Sequence, residues 1–311
     1  MNMEKKEKQY DILIIGAGPA GLTAGIYGVR ANLKVGMLER SAPGGQIVWT
    51  YEIENYPGYE KLPGPDLAMK MYEHATNMGA QYLYGDVVKL EKRDDLFFVT
   101  TEDAVYEAGA VIVATGTLNR RLGVPGEDKL AGYGISWCAI CDGAFYKNKQ
   151  VAVIGGGNSA LEEAMYLSSI VDKVTIIHRR DAFRGDKHAQ ERVFQCKKID
   201  VMWDSTVDSF NGDKNLESIT VRNVKTNEQT ELAVSGCFMY IGQDPATQFL
   251  KDFDILDEGN YVIADRRMHT AVSGLFAAGD CTQKDLRQVA TAVSDGAVAA
   301  IEAVKYLEHK K

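Results

Sequence analysis

The chain lacks any apolar run long enough for a bilayer: none of its 311 residues falls in a stretch approaching the roughly 18 apolar residues of a membrane span. An excess of basic residues is missing too. There are 35 Lys and Arg against 43 Asp and Glu, and a formal net charge of −8 repels a phosphate backbone, which argues against nucleic acid as a partner. Cysteine is scarce, at five residues, an odd number for a closed disulfide framework. Cys196, Cys237 and Cys281 are scattered and read as small buried hydrophobes. Only Cys138 and Cys141 are close, and such a pair in a cysteine-poor, reducing context is more often catalytic or metal-binding than structural. A zinc site needs two more ligands, yet there is no second CxxC and no paired spacing among the five histidines. The start, Met1 to Gln9, has no apolar core of a secretory signal, and its Lys/Glu-rich composition predicts a frayed tail.

What is present is a globular composition, 45% hydrophobic and 25% charged, long enough for two domains. One unit occurs twice. Tyr10–Arg40 and Lys149–Arg179 align without a gap at a constant shift of 139, which sets Gly16 on Gly155, Gly18 on Gly157, Gly21 on Ala160 and Glu39 on His178. Each copy reads as a β-branched strand (Ile12–Ile15; Val151–Ile154), a glycine turn, an Ala/Leu-rich helix and a second strand (Lys34–Leu38; Lys173–Ile177). This is the dinucleotide-binding unit. Gly16 permits the tight turn, Gly18 lets the backbone approach a pyrophosphate, and Gly21 or Ala160 keeps the helix close to the sheet. Free N–H groups at each helix start then face the diphosphate. The parallel extends downstream, where residues 82–116 and 201–242 read as strands and turns ending in VIVATG and FMYIG.

The copies differ where the adenosine ribose is met. Glu39 offers a carboxylate to ribose hydroxyls and disfavours a 2′-phosphate, which fits FAD or NAD. His178-Arg179-Arg180, with Arg184 one turn later, places three guanidiniums beside the second ribose and selects NADPH over NADH. Near the end, Gly274–Asp280 reads as an apolar strand closing on Gly-Asp, with a helix beginning near Arg287-Gln288. Asp280 is placed for a ribityl hydroxyl.

Between the copies lies Cys138-Ala-Ile-Cys141-Asp142-Gly143, and here the chain closely resembles the bacterial low-molecular-weight thioredoxin reductases. The resemblance runs from about Tyr10 to Leu307. It includes GAGPAG (Gly16–Gly21), GGQ (Gly44–Gln46), ENYPG (Glu54–Gly58), ATG (Ala114–Gly116), GGGNSALEEA (Gly155–Ala164), HRRDAFR (His178–Arg184) and GLFAAGD (Gly274–Asp280). It implies an α/β fold of two Rossmann-like dinucleotide-binding domains. An FAD domain, residues 1–120 and 249–311, is interrupted by an NADPH domain, residues 121–248, that carries the cysteines. Hinges are implied near Asn119–Arg121 and Asp244–Thr247, with a rotation between half-reactions and a homodimeric, cytoplasmic enzyme. FAD is implied to rest on Gly16, Gly18, Pro19, Ala20 and Gly21, on Glu39 and Arg40, and on Gly44, Gly45, Gln46 and Asn55. Its remaining contacts are Val88, Ala114, Thr115, Gly116, Gly279, Asp280, Arg287, Gln288 and Val289. NADPH is implied to rest on Gly155, Gly157, Asn158, Ser159, Ala160 and Glu163, on His178, Arg179, Arg180 and Arg184, and on Ile241 and Gly242.

By the same resemblance, Cys141 faces the flavin, Cys138 is the interchange thiol toward thioredoxin, and Asp142 is the acid. The stoichiometry closes, because a hydride carries two electrons and a disulfide accepts two. Other acceptors keep the same fold and cysteines: a glutaredoxin-like protein, a peroxidase-system subunit, oxygen or a small dithiol. A nucleotide-sensing module would not need the CxxC or Asp142. Trp137 and Ile140 are bulky, and Ala246 replaces an Asn, where the family pattern differs. Replacing Arg179 and Arg180 together by alanine should raise the Michaelis constant for NADPH and leave that for NADH nearly unchanged. Equal losses in steady-state assays with both nucleotides would refute a phosphate-selective site.

Overall fold

The computed structural model describes residues 6–50 and 53–310. The chain opens with β1 (Lys6–Ile15), α1 (Pro19–Arg30) and β2 (Val35–Glu39), then a tight turn at Gly45–Trp49, α2 (Gly64–Asn77) and β3 (Gln81–Tyr84). A meander follows, made of β4 (Val87–Arg93), β5 (Leu96–Thr101) and β6 (Ala104–Val113), and β7 (Thr117–Asn119) leads away from it. The middle of the chain runs α3 (Glu127–Leu130), β8 (Ile135–Ser136), α4 (Ala139–Asp142), β9 (Gln150–Gly155), α5 (Asn158–Ser168), β10 (Lys173–Ile177), α6 (Lys187–Gln195) and β11 (Ile199–Met202). After it come β12 (Ser205–Asn211), β13 (Ser218–Asn223), β14 (Gln229–Ala233), β15 (Gly236–Tyr240), β16 (Gln243–Pro245), β17 (Leu275–Ala277) and α7 (Val289–Glu308).

Two parallel-cored sheets result. One has the order β3-β2-β1-β6-β5-β4, with β17 also on β6; the other is β11-β10-β9-β15-β8. The early strands and β17, far apart in sequence, therefore share one sheet, and the middle segment builds its own. Both faces of each sheet are covered, so the strands read as unbroken apolar runs. In the first, Ile12 and Ile14 face a core with Ala24 and Ala299 of α1 and α7, while Leu13 and Ile15 face the opposite core with Phe97 and Leu250. In the second, Val151 and Val153 pack under α5, and Ala152 and Ile154 pack on the β12-β13-β14 sheet. Among the described residues no helix is long and apolar enough to cross a membrane.

Part of the N-terminal stretch expected to fray is strand. Met1–Lys5 lie outside the described residues, but Lys6–Gln9 belong to β1 and pair with Ala104–Glu107 of β6. Backbone pairing is indifferent to side-chain polarity, and Gln9 adds a 3.0 Å bond to Glu107. The two crossings between the lobes are paired strands. Asn119, Leu118 and Thr117 of β7 pair antiparallel with Gln243, Asp244 and Pro245 of β16. Arg120 donates to both oxygens of Asp244 at 3.1 and 2.9 Å, an exposed pair of small net value.

The two glycine turns pack with different tightness. A Cβ on Gly21 would lie 1.9 Å from the Gly16 carbonyl oxygen, and one on Gly16, whose φ is +107°, would lie 2.3 Å from the Ala114 oxygen. In the second copy, Ala160 already carries a Cβ and fits. Gly21→Ala should therefore destabilise the fold by about 1–3 kcal/mol through overpacking, whereas Ala160→Gly should cost only about 1 kcal/mol of helix propensity. Urea unfolding of both variants checks the asymmetry.

Candidate active site

A cleft of about 1100 Å³ opens between the two lobes, at the ends of the strands that precede the glycine turns. On its first wall, α1 and on its second wall, α5 begin at glycines with no side-chain cap, Gly18 and Gly157. Positions 18 and 157 also leave the backbone open: a Cβ at Gly18 would meet only the Gly45 Cα, at 3.8 Å, and one at Gly157 would meet nothing within 4 Å. Exposed N–H groups at a helix start attract an anion.

Glu39 is held at the end of β2. One carboxylate oxygen accepts from the Ala17 N–H at 2.9 Å, and the other from the Ser41 N–H and hydroxyl at 2.9 and 3.0 Å. Pro19, Ala20, Arg40, Gly45, Gln46 and Asn55 line the same wall, as do Ala114, Thr115 and Gly116. Gly279, Asp280, Arg287, Gln288 and Val289 close it. Gln46 is tied back by bonds to the Thr117 carbonyl at 2.7 Å and hydroxyl at 2.8 Å, and Asn55 donates to Gln288 at 3.1 Å. A smaller recess of about 330 Å³ behind it is bordered by Gly16, Glu39, Arg40, Val88 and Thr115. Gly21 and Gly44 line neither cavity; Gly21 serves packing, and Gly44, at φ +115°, donates its N–H to the Ala17 carbonyl.

On the second wall stand Gly155, Asn158, Ser159, Ala160, Glu163, Ile241 and Gly242. Asn158 is locked to Asp186 by two bonds of 2.9 and 2.6 Å, and the Arg184 N–H donates to Gly156 at 2.7 Å, which folds the arginine loop back over the turn. The four residues grouped by sequence separate here. Arg179 and Arg184 border the cleft, whereas Arg180 is exposed and outside it. His178 borders it too, but its ring is buried against Gly156 and Trp203, and Nε2 bonds the Ala182 carbonyl at 3.0 Å. Burial lowers its pKa, against the opposing Ala182 bond, and Arg180 and Arg184 lower it further.

The cysteines join as a disulfide on α4, with Cα atoms 5.3 Å apart, and both line the cleft. Two residues that sequence reading did not single out fix this turn. Ser136 accepts the Cys138 N–H at 3.0 Å and donates to Asp142 at 2.5 Å. Tyr240, at the end of β15, accepts the Ala139 N–H at 2.8 Å. Ser136, two residues before Cys138, was within local reach; Tyr240, a hundred residues away, left no signal. Burial pushes the Asp142 carboxyl up to about 6, against the opposing Ser136 bond, and burial with the nearby Glu162 pushes Glu163 up to about 7. Cys281 is sealed in the core, its thiol directed at the Val113 and Ala278 carbonyls.

Six buried polar side-chain atoms have no partner among the described residues: those of Thr115, Trp137, Asp142, Glu163, Thr206 and Asp280. All six residues line this cleft. Buried polar groups are rarely left unpaired, so the cleft is built for polar ligands, and its two open glycine turns suit two diphosphates.

Two nucleotide turns facing a vicinal disulfide define a dinucleotide-dependent disulfide reductase. The chain belongs to the pyridine nucleotide-disulphide oxidoreductase family, whose profile matches residues 10–296. It is 45% identical over 310 residues to a thioredoxin reductase of Listeria innocua, covering 99% of this chain and 97% of that one. The crystal structure of thioredoxin reductase from Streptococcus pyogenes is 48% identical and superposes with a TM-score of 0.93, covering 97% of this chain and 99% of that one. Lactococcus lactis thioredoxin reductase in its FR conformation is 47% identical, over 96% and 99% of the chains, yet scores only 0.67. The two relatives are thus nearly equal in identity but unequal in superposition.

Asp142 carries a pH signature. Its folded pKa of about 6 lies above the ordinary 3.8, so the folded state binds the extra proton between those values and stability falls as pH rises through that window. Asp142→Asn removes the titration. It should be more stable than the parent by about 2–3 kcal/mol at pH 7.5, with the difference vanishing near pH 4. Urea unfolding across that range checks it.

Proposed function

We propose that this chain is an NADPH-dependent thioredoxin-disulfide reductase. FAD belongs to residues 1–120 and 249–311, and NADPH to residues 121–248. The carrying observation is that the Cys138–Cys141 disulfide opens into the one cleft bordered by both glycine turns. When bound, FAD supplies the two-electron link between reduced nicotinamide and a disulfide.

The chain's own residues do the rest. Glu39 is oriented for ribose hydroxyls, and Asp280, with an unpaired buried oxygen, for a hydroxyl of the flavin chain. Arg179 and Arg184 offer charge to a 2′-phosphate. Reduction of the disulfide consumes two electrons and one proton and leaves one thiol and one thiolate, and Asp142, poised near neutrality, is the group placed in the same turn to hold that proton. The Cys138 thiolate then attacks a disulfide of thioredoxin. Cys141 attacks the Cys138 sulfur in turn, which re-forms the resident disulfide and frees the partner's dithiol. In this arrangement both sulfurs are half-buried between the lobes, so a protein partner is met after the lobes turn. The unequal scores against two relatives of nearly equal identity, one of them in an FR conformation, support that motion. Two of the three free cysteines are buried, which agrees with a cytoplasmic setting, and the family resemblance favours a homodimer.

The purified chain should be yellow, bleach anaerobically with NADPH far more than with NADH, and reduce an aromatic disulfide dye only when thioredoxin is present. Cys138→Ser should keep the bleaching and lose dye reduction. Dye turnover without thioredoxin would point to another acceptor, and no bleaching by NADPH would remove the donor assignment.

A further inference from the structure

Behind the Gly279–Asp280 turn lies an ion pair largely withdrawn from solvent. Lys284 contacts Asp295, and their side chains are only 16% and 15% exposed. The same Asp295 oxygen accepts the Gly279 N–H at 3.1 Å. Asp295 sits in the second turn of α7, while Lys284 belongs to the segment that runs from Cys281 to the start of that helix. Neither residue lines the cleft, but each is joined to residues that do: Gly279 and Asp280 on one side, Asp285 to Val289 on the other. The turn has little slack. Gly279 has φ +78°, and a Cβ there would lie 2.9 Å from that of Ala20.

Desolvating a lysine and an aspartate is costly, and such a pair gives little net stability compared with an apolar pair of the same volume. Position is what it can supply. One carboxylate grips the amide that precedes Asp280 and the cation of the loop that precedes α7. Asp280 has an unpaired buried oxygen, so its placement matters to whatever ligand completes it.

We infer that Asp295, fixed by Lys284, is a positioning residue for the flavin site: it clamps the Gly279 amide and so sets the spacing between Asp280 and the start of α7. The inference rests on reading this wall as the FAD site. It adds two residues that do not line the cleft themselves but hold those that do.

The test is flavin release. The FAD-loaded full chain is diluted, the rise in flavin fluorescence gives the release rate, and visible circular dichroism reports the setting of the bound ring. Asp295→Ala should release FAD about tenfold faster or more, the scale of one lost charge-assisted hydrogen bond, and should change the visible dichroism. That variant also strands Lys284 without its counter-ion. The double variant Lys284→Met/Asp295→Ala removes the imbalance but still deprives Gly279 of its acceptor, and it should release FAD as fast as the single one. Asp295→Asn keeps an oxygen for Gly279 and should stay closer to the parent than Asp295→Ala does. Parental release and dichroism in the double variant would overturn the clamp and leave charge balance as the pair's only role. A parental chain that binds no FAD would overturn the flavin-site reading beneath it, so the two failures are distinguishable.

Discussion

The first turn of α1 is gripped by backbone on all sides, and the first lobe is organised around that grip. Gly21 leaves no room for a Cβ against the Gly16 carbonyl. On its far side, a Cβ on Gly296 of α7 would lie 2.1 Å from the Ala20 oxygen. Gly279 closes on the Ala20 methyl from the β17 end. Two segments remote in sequence thus converge with the local Gly16–Gly21 turn on one helix start, and each contributes a glycine because only an absent side chain lets the chain approach so closely. Such contacts place the free N–H groups, the Gly-Asp turn and α7 in fixed mutual positions, which a diphosphate site needs.

The second lobe uses the same plan with looser tolerances. Ala160 stands where Gly21 does, and the stretch after β10 folds back to lock Asn158 rather than drawing in a distant helix. The disulfide turn is fastened from two directions, by Ser136 beneath Cys138 and by Tyr240 at Ala139. The turn is thereby seated firmly, with the half-buried Asp142 at its end.

Much of this was legible in the chain. The duplicated strand-turn-helix pattern, its constant shift and the unbroken apolar strands follow from periodicity and glycine spacing, and they fix both sheets' central strands. Legibility ended where tertiary contact overrides local character. Lys6–Gln9 look like a polar tail yet pair with β6, since an edge needs only backbone partners. His178 has the neighbours of an anion site, but Phe183, Trp203 and Gly156 draw its ring inward. Arg180 shares that motif but lies in the bend after β10, outside the cleft. Tyr240 and Asp295 act on residues far away in sequence, and no local pattern encodes such pairs.

The antiparallel ribbon of β7 and β16 brings Asn119 and Gln243 side by side. The intervening stretch thus begins and ends at nearly one point, the end-point geometry under which one domain can be spliced into another without breaking the host. The host sheet is closed across the splice by β17 lying against β6. The stretch between them that carries the sulfurs packs its own apolar core, and the surrounding sheet keeps another.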